Sequence, residues 1–211
     1  IMSWFWLKKR FGYKTINNLI VLLLIILAIG FLYSIFLSPP DYVQGESVRI
    51  MYVHVPSSFI AISSFAIIGI ASFLNLVFKI KFITFFAKSL APIGCVFCLI
   101  SILTGSFWGK PTWGVWWVWD ARLTSMTILF IFYLVYILSW KFINDYEKAS
   151  KITSVIGILG SFNLPVIKYS VDWWNTLHQP SSITLTSAPT IHYKMLIPLA
   201  IMFLGLIIYS L

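Results

Sequence analysis

A tryptophan-rich segment, residues 108–120, is the first candidate for chemistry. Its five tryptophans are Trp108, Trp113, Trp116, Trp117 and Trp119. One or two would be explained by anchoring at a membrane interface, which tryptophan favours, but five within twelve positions are too dense for that alone. If the segment is helical, Trp113, Trp116 and Trp117 share one face. They would then form a flat aromatic shelf suited to a large, planar, apolar ligand.

Two histidines, His54 and His178, flank this segment along the chain. A lone interfacial histidine usually has a structural role, because its ring is amphipathic. Two of them around a tryptophan shelf favour axial ligation of a porphyrin iron, for which neutral imidazole is the usual ligand. The shelf alone would equally suit a lipid, a quinone or a partner protein. The third histidine, His192, is predicted to be structural, although a ligand role stays open.

Charged side chains near the tryptophans suit the edge of such a ligand. Arg49, Lys110 and Arg122 are candidates to pair with porphyrin propionates, and arginine can do so through two parallel hydrogen bonds. Asp120 is included in the candidate binding set, but we expect it to cap a helix or to pair locally with Arg122 or Lys110. No residue here resembles a conventional nucleophile or general base, so we predict a handling protein rather than an enzyme.

The composition indicates that lipid is the main solvent of the chain. Hydrophobic residues make up 60% of the 211 positions and charged residues only 10%, with a mean hydropathy of +0.93. So little polar surface cannot cover a soluble globule. The net charge is +9, and most of the charged residues lie between apolar runs. They therefore indicate the membrane topology rather than nucleic-acid binding. Cys95 and Cys98 fall inside an apolar run, and we predict a packing role for both.

Apolar stretches of about 17 to 25 residues predict an all-α integral membrane protein, a single domain over residues 1–211 with six transmembrane helices in a bundle. The predicted spans are 19–37, 59–78, 89–107, 123–140, 152–171 and 195–211. We expect the first span to be retained, because no small-residue cleavage site follows it.

Basic residues are unevenly divided between the two sides of these spans. Ten Lys and Arg fall on the side of both termini, and five fall on the other side. The positive-inside rule therefore predicts cytoplasmic termini and three outward-facing loops, 38–58, 105–122 and 172–194. These loops contain all three histidines, which predicts a periplasmic site. A bacterial inner membrane is the expected location, with a mitochondrial inner membrane as the alternative.

The longest motifs resemble those of a known family. The run from Trp113 to Thr124 resembles the WWD signature of the haem-handling proteins of cytochrome c biogenesis. The runs 49–56 and 173–180 resemble the CcmC family, haem exporter protein C of cytochrome c biogenesis system I, and the resemblance covers essentially the whole chain. It implies that His54 and His178 are outer-face axial ligands of non-covalently bound haem b. It also implies that the WWD segment holds the porphyrin edge.

The resemblance further implies a set of partners. Haem would be presented to the periplasmic chaperone CcmE, together with the small membrane protein CcmD and the CcmA/CcmB ATPase. Larger members that join haem to apocytochrome are expected to carry histidines inside their spans. The predicted spans here contain none, which favours a haem loader over that branch.

Two other functions stay open at this stage. A small-molecule or lipid transporter gated by the tryptophans would need polar side chains along its spans. Apart from Asn75, Asn163, Lys168 near the end of the fifth span, and scattered Ser and Thr, the predicted spans are apolar. A scaffold that only recruits partners would bind no haem when purified.

Overall fold

The computed structural model describes residues 12–174, 176–178 and 189–210. The amino-terminal basic residues up to Arg10, and Asn175, Gln179 and Pro180 of the motif 173–180, lie outside them. The α-helices are α1 (Tyr13–Phe36), α2 (Met51–Phe78), α3 (Lys81–Trp113), α4 (Ala121–Phe142), α5 (Tyr146–Ser161), α6 (Asn163–Trp173) and α7 (Tyr193–Ser210), and a 3-10 helix, Glu46–Ile50, leads directly into α2. The described residues form no strand, and their single β-bridge joins Asp41 to Gly45.

Six helical stretches among these residues are long and apolar enough to cross a membrane, with α5 and α6 forming one of them. The predicted fold class, an all-α membrane protein with six such helices, is confirmed. The helices extend beyond the predicted spans, because residues that are too polar for the hydrocarbon core continue the helical backbone. Thus α2 begins eight residues before position 59, and α3 continues six residues past position 107. His54, expected in a loop outside the spans, therefore lies in the first turn of α2.

The stretch from Tyr146 to Trp173 is broken at Phe162, and Pro165 accounts for the break. Proline has no N–H to donate to the carbonyl four residues earlier, and its ring collides with that carbonyl. The carbonyl belongs to Ser161, where α5 ends. Proline is tolerated in the first turn of the following helix, α6, which begins at Asn163. The Asn163 side chain donates a hydrogen bond of 2.8 Å to the carbonyl of Ser125.

The described residues divide into two compact units. One extends to Tyr52 and resumes at Ile191, so it contains α1, the 3-10 helix and α7. In this unit α1 packs on α7, and glycines allow close approach between the two helices. A methyl group at Gly30 would meet Ile201, and one at Gly205 would meet Leu27. Most of the large side chains of α1 remain exposed, as expected for a helix surrounded by lipid.

The second unit, between Val53 and Thr190, contains the remaining helices. Within it α4 packs against α3, α5 and α6. The Tyr133 side chain of α4 is fully buried, and its hydroxyl donates a 2.7 Å hydrogen bond to the Ala61 carbonyl of α2. At the end of α2, Asn75 donates to Ser150 and Ser154 and accepts from Thr84. This buried network ties α2 to α3 and α5 and leaves the Asn75 amide well paired.

Candidate functional site

His54 is held by one helix that runs beside its own. Its Nδ1 atom lies 3.0 Å from the Ser101 carbonyl oxygen and 3.1 Å from Thr104 Oγ1, both on α3. A carbonyl can only accept, so Nδ1 carries the proton and donates it. The Nε2 atom then keeps its lone pair and has no hydrogen-bond partner among the described residues. Within the described residues, Nε2 is therefore the ring nitrogen of His54 that is left to bind a ligand.

Gly105 makes room for the His54 ring. A Cβ atom added at Gly105 would lie 3.1 Å from His54 Cε1 and 3.6 Å from Nδ1, and these are the nearest described atoms. Trp108 meets the same ring from the side, with ring centroids 5.7 Å apart and planes at 80°. The sequence interpretation missed Ser101, Thr104 and Gly105. Their spacing of i, i+3 and i+4 within an apolar helix was the available signal, because such residues share one face.

His178 lies in a short non-helical stretch, residues 176–178. Its Nδ1 atom is 3.2 Å from the Asp120 carboxylate oxygen Oδ2. Trp113 packs edge-on against its ring, with centroids 4.8 Å apart and planes at 66°. Burial lowers the pKa of His178 below its ordinary value of 6.5, and the hydrogen bond to Asp120 acts in the opposite direction. The imidazole therefore favours its neutral form, the form that binds metal ions.

Asp120 has two structural partners. It is the N-cap of α4, where Oδ1 accepts a 2.8 Å hydrogen bond from the backbone N–H of Leu123. Its other oxygen faces His178, and the side chain is only 6% exposed. The expected capping is therefore present, but no ion pair within 4.0 Å joins Asp120 to Arg122 or Lys110 in the described residues. The contact with His178 was not predicted from the sequence.

The tryptophans do not form the flat shelf that the sequence suggested. Helix α3 ends at Trp113, and Gly114 adopts a left-handed conformation with φ of 79°, which favours glycine and ends the helix. Trp116 and Trp117 therefore lie in irregular chain rather than on one helical face with Trp113. The ring pairs that these five tryptophans form also meet edge-to-face, as for Trp117 and Trp119, whose ring centroids are 5.4 Å apart with planes at 79°. Edge-to-face contacts are favourable because the positive edge of one ring meets the negative face of the other. Trp108 and Trp113 therefore support the histidine rings rather than forming a plane.

The other tryptophans differ in exposure. Trp116 and Trp119 are exposed, Trp119 to 73% of its surface, and Trp116 contacts Phe107. Trp117 is half-buried, and its Nε1 atom has no hydrogen-bond partner among the described residues. The same is true of the hydroxyl of Thr176, near His178 in the chain. These two buried polar atoms are available to hydrogen-bond a ligand.

Arg122 is the cation that shares the surroundings of both histidines. It interacts electrostatically with His54 and with His178, and the two histidines interact with each other. The carboxylates of Asp120 and Asp172 also act on Arg122. Arg122, Asp120, His54 and His178 all belong to the second unit, and within it Asp120 and His178 are in direct contact.

Lys110 and Arg49 make other contacts. Lys110 is exposed, and its Nζ donates a 3.0 Å hydrogen bond to the Gly114 carbonyl at the end of its own helix. Arg49 belongs to the first unit, where it pairs with Glu46 at 2.8 Å and donates to the Ser38 carbonyl. None of these contacts involves His54 or His178, so the pairing of Lys110 and Arg49 with haem propionates stays a prediction.

The donor set suits a porphyrin better than a bare metal ion. No group of three or more His, Cys, Asp or Glu side chains in the described residues is placed to hold a metal. Two imidazoles supply two ligands, and a porphyrin supplies the other four to its iron. Metal-binding histidines usually donate their second N–H to a carbonyl or carboxylate. His54 and His178 both show this arrangement, so the residues present fit haem.

Comparison with known proteins decides the family. Residues 6–211 match the family model CcmC, described as Heme exporter protein C. The chain belongs to this family. It is 45% identical over 178 residues, 84% of its length, to Heme exporter protein C of Bradyrhizobium diazoefficiens. It is 43% identical over 158 residues, 75% of its length, to the Escherichia coli K12 protein of the same name. The matches cover 67% and 64% of those two proteins, so the chain spans about two thirds of their length.

The family extends beyond bacteria. A ccmC-like mitochondrial protein of cytochrome c biosynthesis from Marchantia polymorpha is 44% identical to the chain over 176 residues. That match covers 83% of the chain and 74% of the Marchantia protein. The resemblance to CcmC noted in the sequence is thereby confirmed. The name also agrees with the predicted haem-handling role.

Proposed function

We propose that the chain binds haem b non-covalently and presents it to the haem chaperone CcmE during cytochrome c maturation. The Nε2 atoms of His54 and His178 are the axial ligands. The observation that carries this proposal is the matched pair of imidazoles, each with Nδ1 paired to a protein oxygen and with no hydrogen bond at Nε2 within the described residues. When bound, haem supplies an iron centre and a planar apolar ring as the transferred cargo.

Other side chains complete the proposed site. Arg122 pairs with a propionate, since it already lies in the electrostatic range of both histidines. The Nε1 atom of Trp117, which is buried without a partner among the described residues, would donate a hydrogen bond to a polar group of the haem. Trp108 and Trp113 restrain the ligating rings, and the exposed Trp116 and Trp119 shield the apolar face. No conventional catalytic residue is required, because this chain positions its cargo.

We place this site on the periplasmic side of a bacterial inner membrane, or its mitochondrial equivalent, with both termini on the opposite side. The positive-inside rule is the main support. In the second unit, the end opposite the histidines carries Lys79, Lys141 and Lys148. At this end Lys81 forms an ion pair with Glu147, with 3.7 Å between Nζ and Oε1. The ion pair joins the start of α3 to the start of α5, and both helix starts are predicted to face the cytoplasm. CcmD and the CcmA/CcmB ATPase are the proposed partners within the membrane.

The test is an absorption spectrum of the purified protein with its haem. With two histidine ligands, the iron is six-coordinate and low-spin. We expect His54→Ala and His178→Ala each to convert it to a form with one fewer protein ligand and to weaken haem retention. His192→Ala is the matched control, because His192 is exposed and its ring contacts Tyr193. An unchanged spectrum in either His54→Ala or His178→Ala would refute the axial-ligand assignment of that histidine.

A second measurement tests the transfer step. We expect haem to pass from the wild-type protein to purified CcmE in a reconstituted membrane, and each ligand variant to reduce the haem that CcmE acquires. If the protein retains haem through both histidines but CcmE acquires none, haem binding stands and the presentation role does not. A protein that binds no haem at all would instead favour a scaffold.

A further inference from the structure

We propose that Asp120 is a positioning residue that fixes which ring nitrogen of His178 is free to bind iron. This inference rests on the proposed function, because it assumes that His178 is a haem ligand. It adds a role for the last residue of the tryptophan segment, which the sequence analysis expected to act locally. The role follows from how the two carboxylate oxygens of Asp120 are divided between two donors.

One oxygen is committed to the helix and the other to the histidine. Oδ1 accepts from the Leu123 N–H at 2.8 Å, and Oδ2 lies 3.2 Å from His178 Nδ1. A carboxylate accepts and cannot donate when ionised. The proton of a neutral His178 must therefore reside on Nδ1, which leaves the lone pair on Nε2. In this way the N-cap of α4 also sets the tautomer of the ligand.

The Nδ1 atoms of the two histidines differ in how many oxygen atoms of the described residues they face. His54 Nδ1 faces two oxygens, the Ser101 carbonyl and the Thr104 hydroxyl. The carbonyl belongs to the backbone of α3, so no side-chain substitution removes it. His178 Nδ1 has only the Asp120 oxygen among the described residues. Within the described part of the chain its tautomer therefore depends on a single side chain, and that side chain can be changed.

Asn at position 120 is the informative substitution. Asparagine is as good an N-cap as aspartate, and its amide oxygen must take the Leu123 N–H to keep the cap. Its NH₂ group then faces His178 Nδ1. An NH₂ group donates, so His178 Nδ1 becomes an acceptor and the proton moves to Nε2. Protonated Nε2 cannot bind iron, although the helix and the ring remain in place.

The experiment compares Asp120→Asn with Asp145→Asn in the full-length protein. Asp145 is the matched control because it caps α5 in the same way, with Oδ1 accepting from the Lys148 N–H at 2.8 Å. It is exposed and lies at the opposite end of the second unit from His178. We expect Asp120→Asn to weaken haem affinity about 10- to 100-fold, the usual cost of losing a residue that orients a metal ligand. Asp145→Asn leaves affinity unchanged.

A second readout needs no haem. Nitrogen-15 NMR of the histidine rings distinguishes a protonated from an unprotonated Nδ1. In haem-free wild-type protein we expect the Nδ1–H tautomer at His178, and in Asp120→Asn the Nε2–H tautomer. Asp120→Ser provides a further variant, because serine keeps the cap but its short side chain has no second group to present to His178. It should give a mixture of tautomers and an intermediate affinity.

The outcomes separate this inference from the proposed function. If His178→Ala does not change the haem spectrum, His178 is not a ligand and the proposed function fails. If His178→Ala changes the spectrum but Asp120→Asn leaves both affinity and tautomer as in the wild type, only the role of Asp120 is overturned. A loss of affinity in Asp120→Asn with the wild-type tautomer retained would also overturn it, since the effect would then be structural.

Discussion

Replacement of Gly105 by alanine should leave the stability of the haem-free protein close to that of the wild type, because strain at His54 offsets the gain in helix propensity, and should lower its affinity for haem. The gain and the strain have separate origins. Alanine is favoured over glycine inside a helix by about 1 kcal/mol, and Gly105 lies within α3. The added methyl group meets only His54 among the described residues. Its cost therefore falls on the proposed ligand.

The size of the second effect follows from the distances. The new Cβ would lie 3.1 Å from His54 Cε1, whereas ordinary contact begins at 3.4 Å, so the ring must move by at least about 0.3 Å. Both partners of His54 Nδ1 lie on α3, as does Gly105, and a shift away from this helix lengthens both hydrogen bonds. They start at 3.0 and 3.1 Å, close to the limit of good geometry. We expect about a tenfold loss of haem affinity, or ~1.4 kcal/mol.

The assay measures both quantities on one preparation. Thermal unfolding in detergent gives the stability of the haem-free protein, and the rate of haem loss to excess apomyoglobin gives retention. The expected result is an unfolding temperature close to that of the wild type together with faster haem loss. Equal or slower haem loss would show that the His54 ring is not confined by Gly105. A lower unfolding temperature in the absence of haem would show that the methyl group disturbs α3 itself.

Two further predictions concern the haem-free protein. Because burial lowers the pKa of His178 in the folded state, the unfolded state binds the proton more readily, and the free energy of unfolding should fall as the pH drops below 6.5. Unfolding temperatures at pH 7.5 and 5.5 test this, and His178→Gln should reduce the difference; an equal difference in the variant would contradict the assignment. Replacement of Asn75 by alanine should cost about 1 to 3 kcal/mol, because Ser150, Ser154 and Thr84 lose their shared partner. Denaturant unfolding measures this loss, and an altered haem spectrum would show that the network also serves the site.

The membrane helices were predictable because the length of an apolar stretch alone identifies them. The positions where the helices end were less predictable, because interfacial residues continue a helix without adding hydrophobicity. His54 illustrates the difference: it lies outside the predicted apolar span but inside α2. The aromatic shelf was wrong for a local reason, since Gly114 ends α3 between Trp113 and Trp116.

The partners of the histidines could not be deduced in the same way. His54 contacts Ser101, 47 positions away, and His178 contacts Asp120, 58 positions away. No periodicity within one helix encodes such pairs, which depend on how α2, α3 and the 176–178 stretch meet. The residue types were selected because imidazole, tryptophan and arginine are suited to haem, and their role in binding it stays a prediction. The functions of Ser101 and Gly105 emerged only from the contacts.

Helix α3 supplies a contact to each histidine, at Thr104 for His54 and at Trp113 for His178. Within a helix, one inserted or deleted residue turns everything beyond it by about 100° and shifts it by 1.5 Å. The length of chain between these two contacts is therefore fixed for any protein that keeps both. Beyond Gly114 the chain is irregular up to Asp120, so changes of length there leave both contacts in register. The two histidine contacts thus fix the length of the interval from Thr104 to Trp113, whereas they place no such constraint on the length of the chain between Gly114 and Asp120.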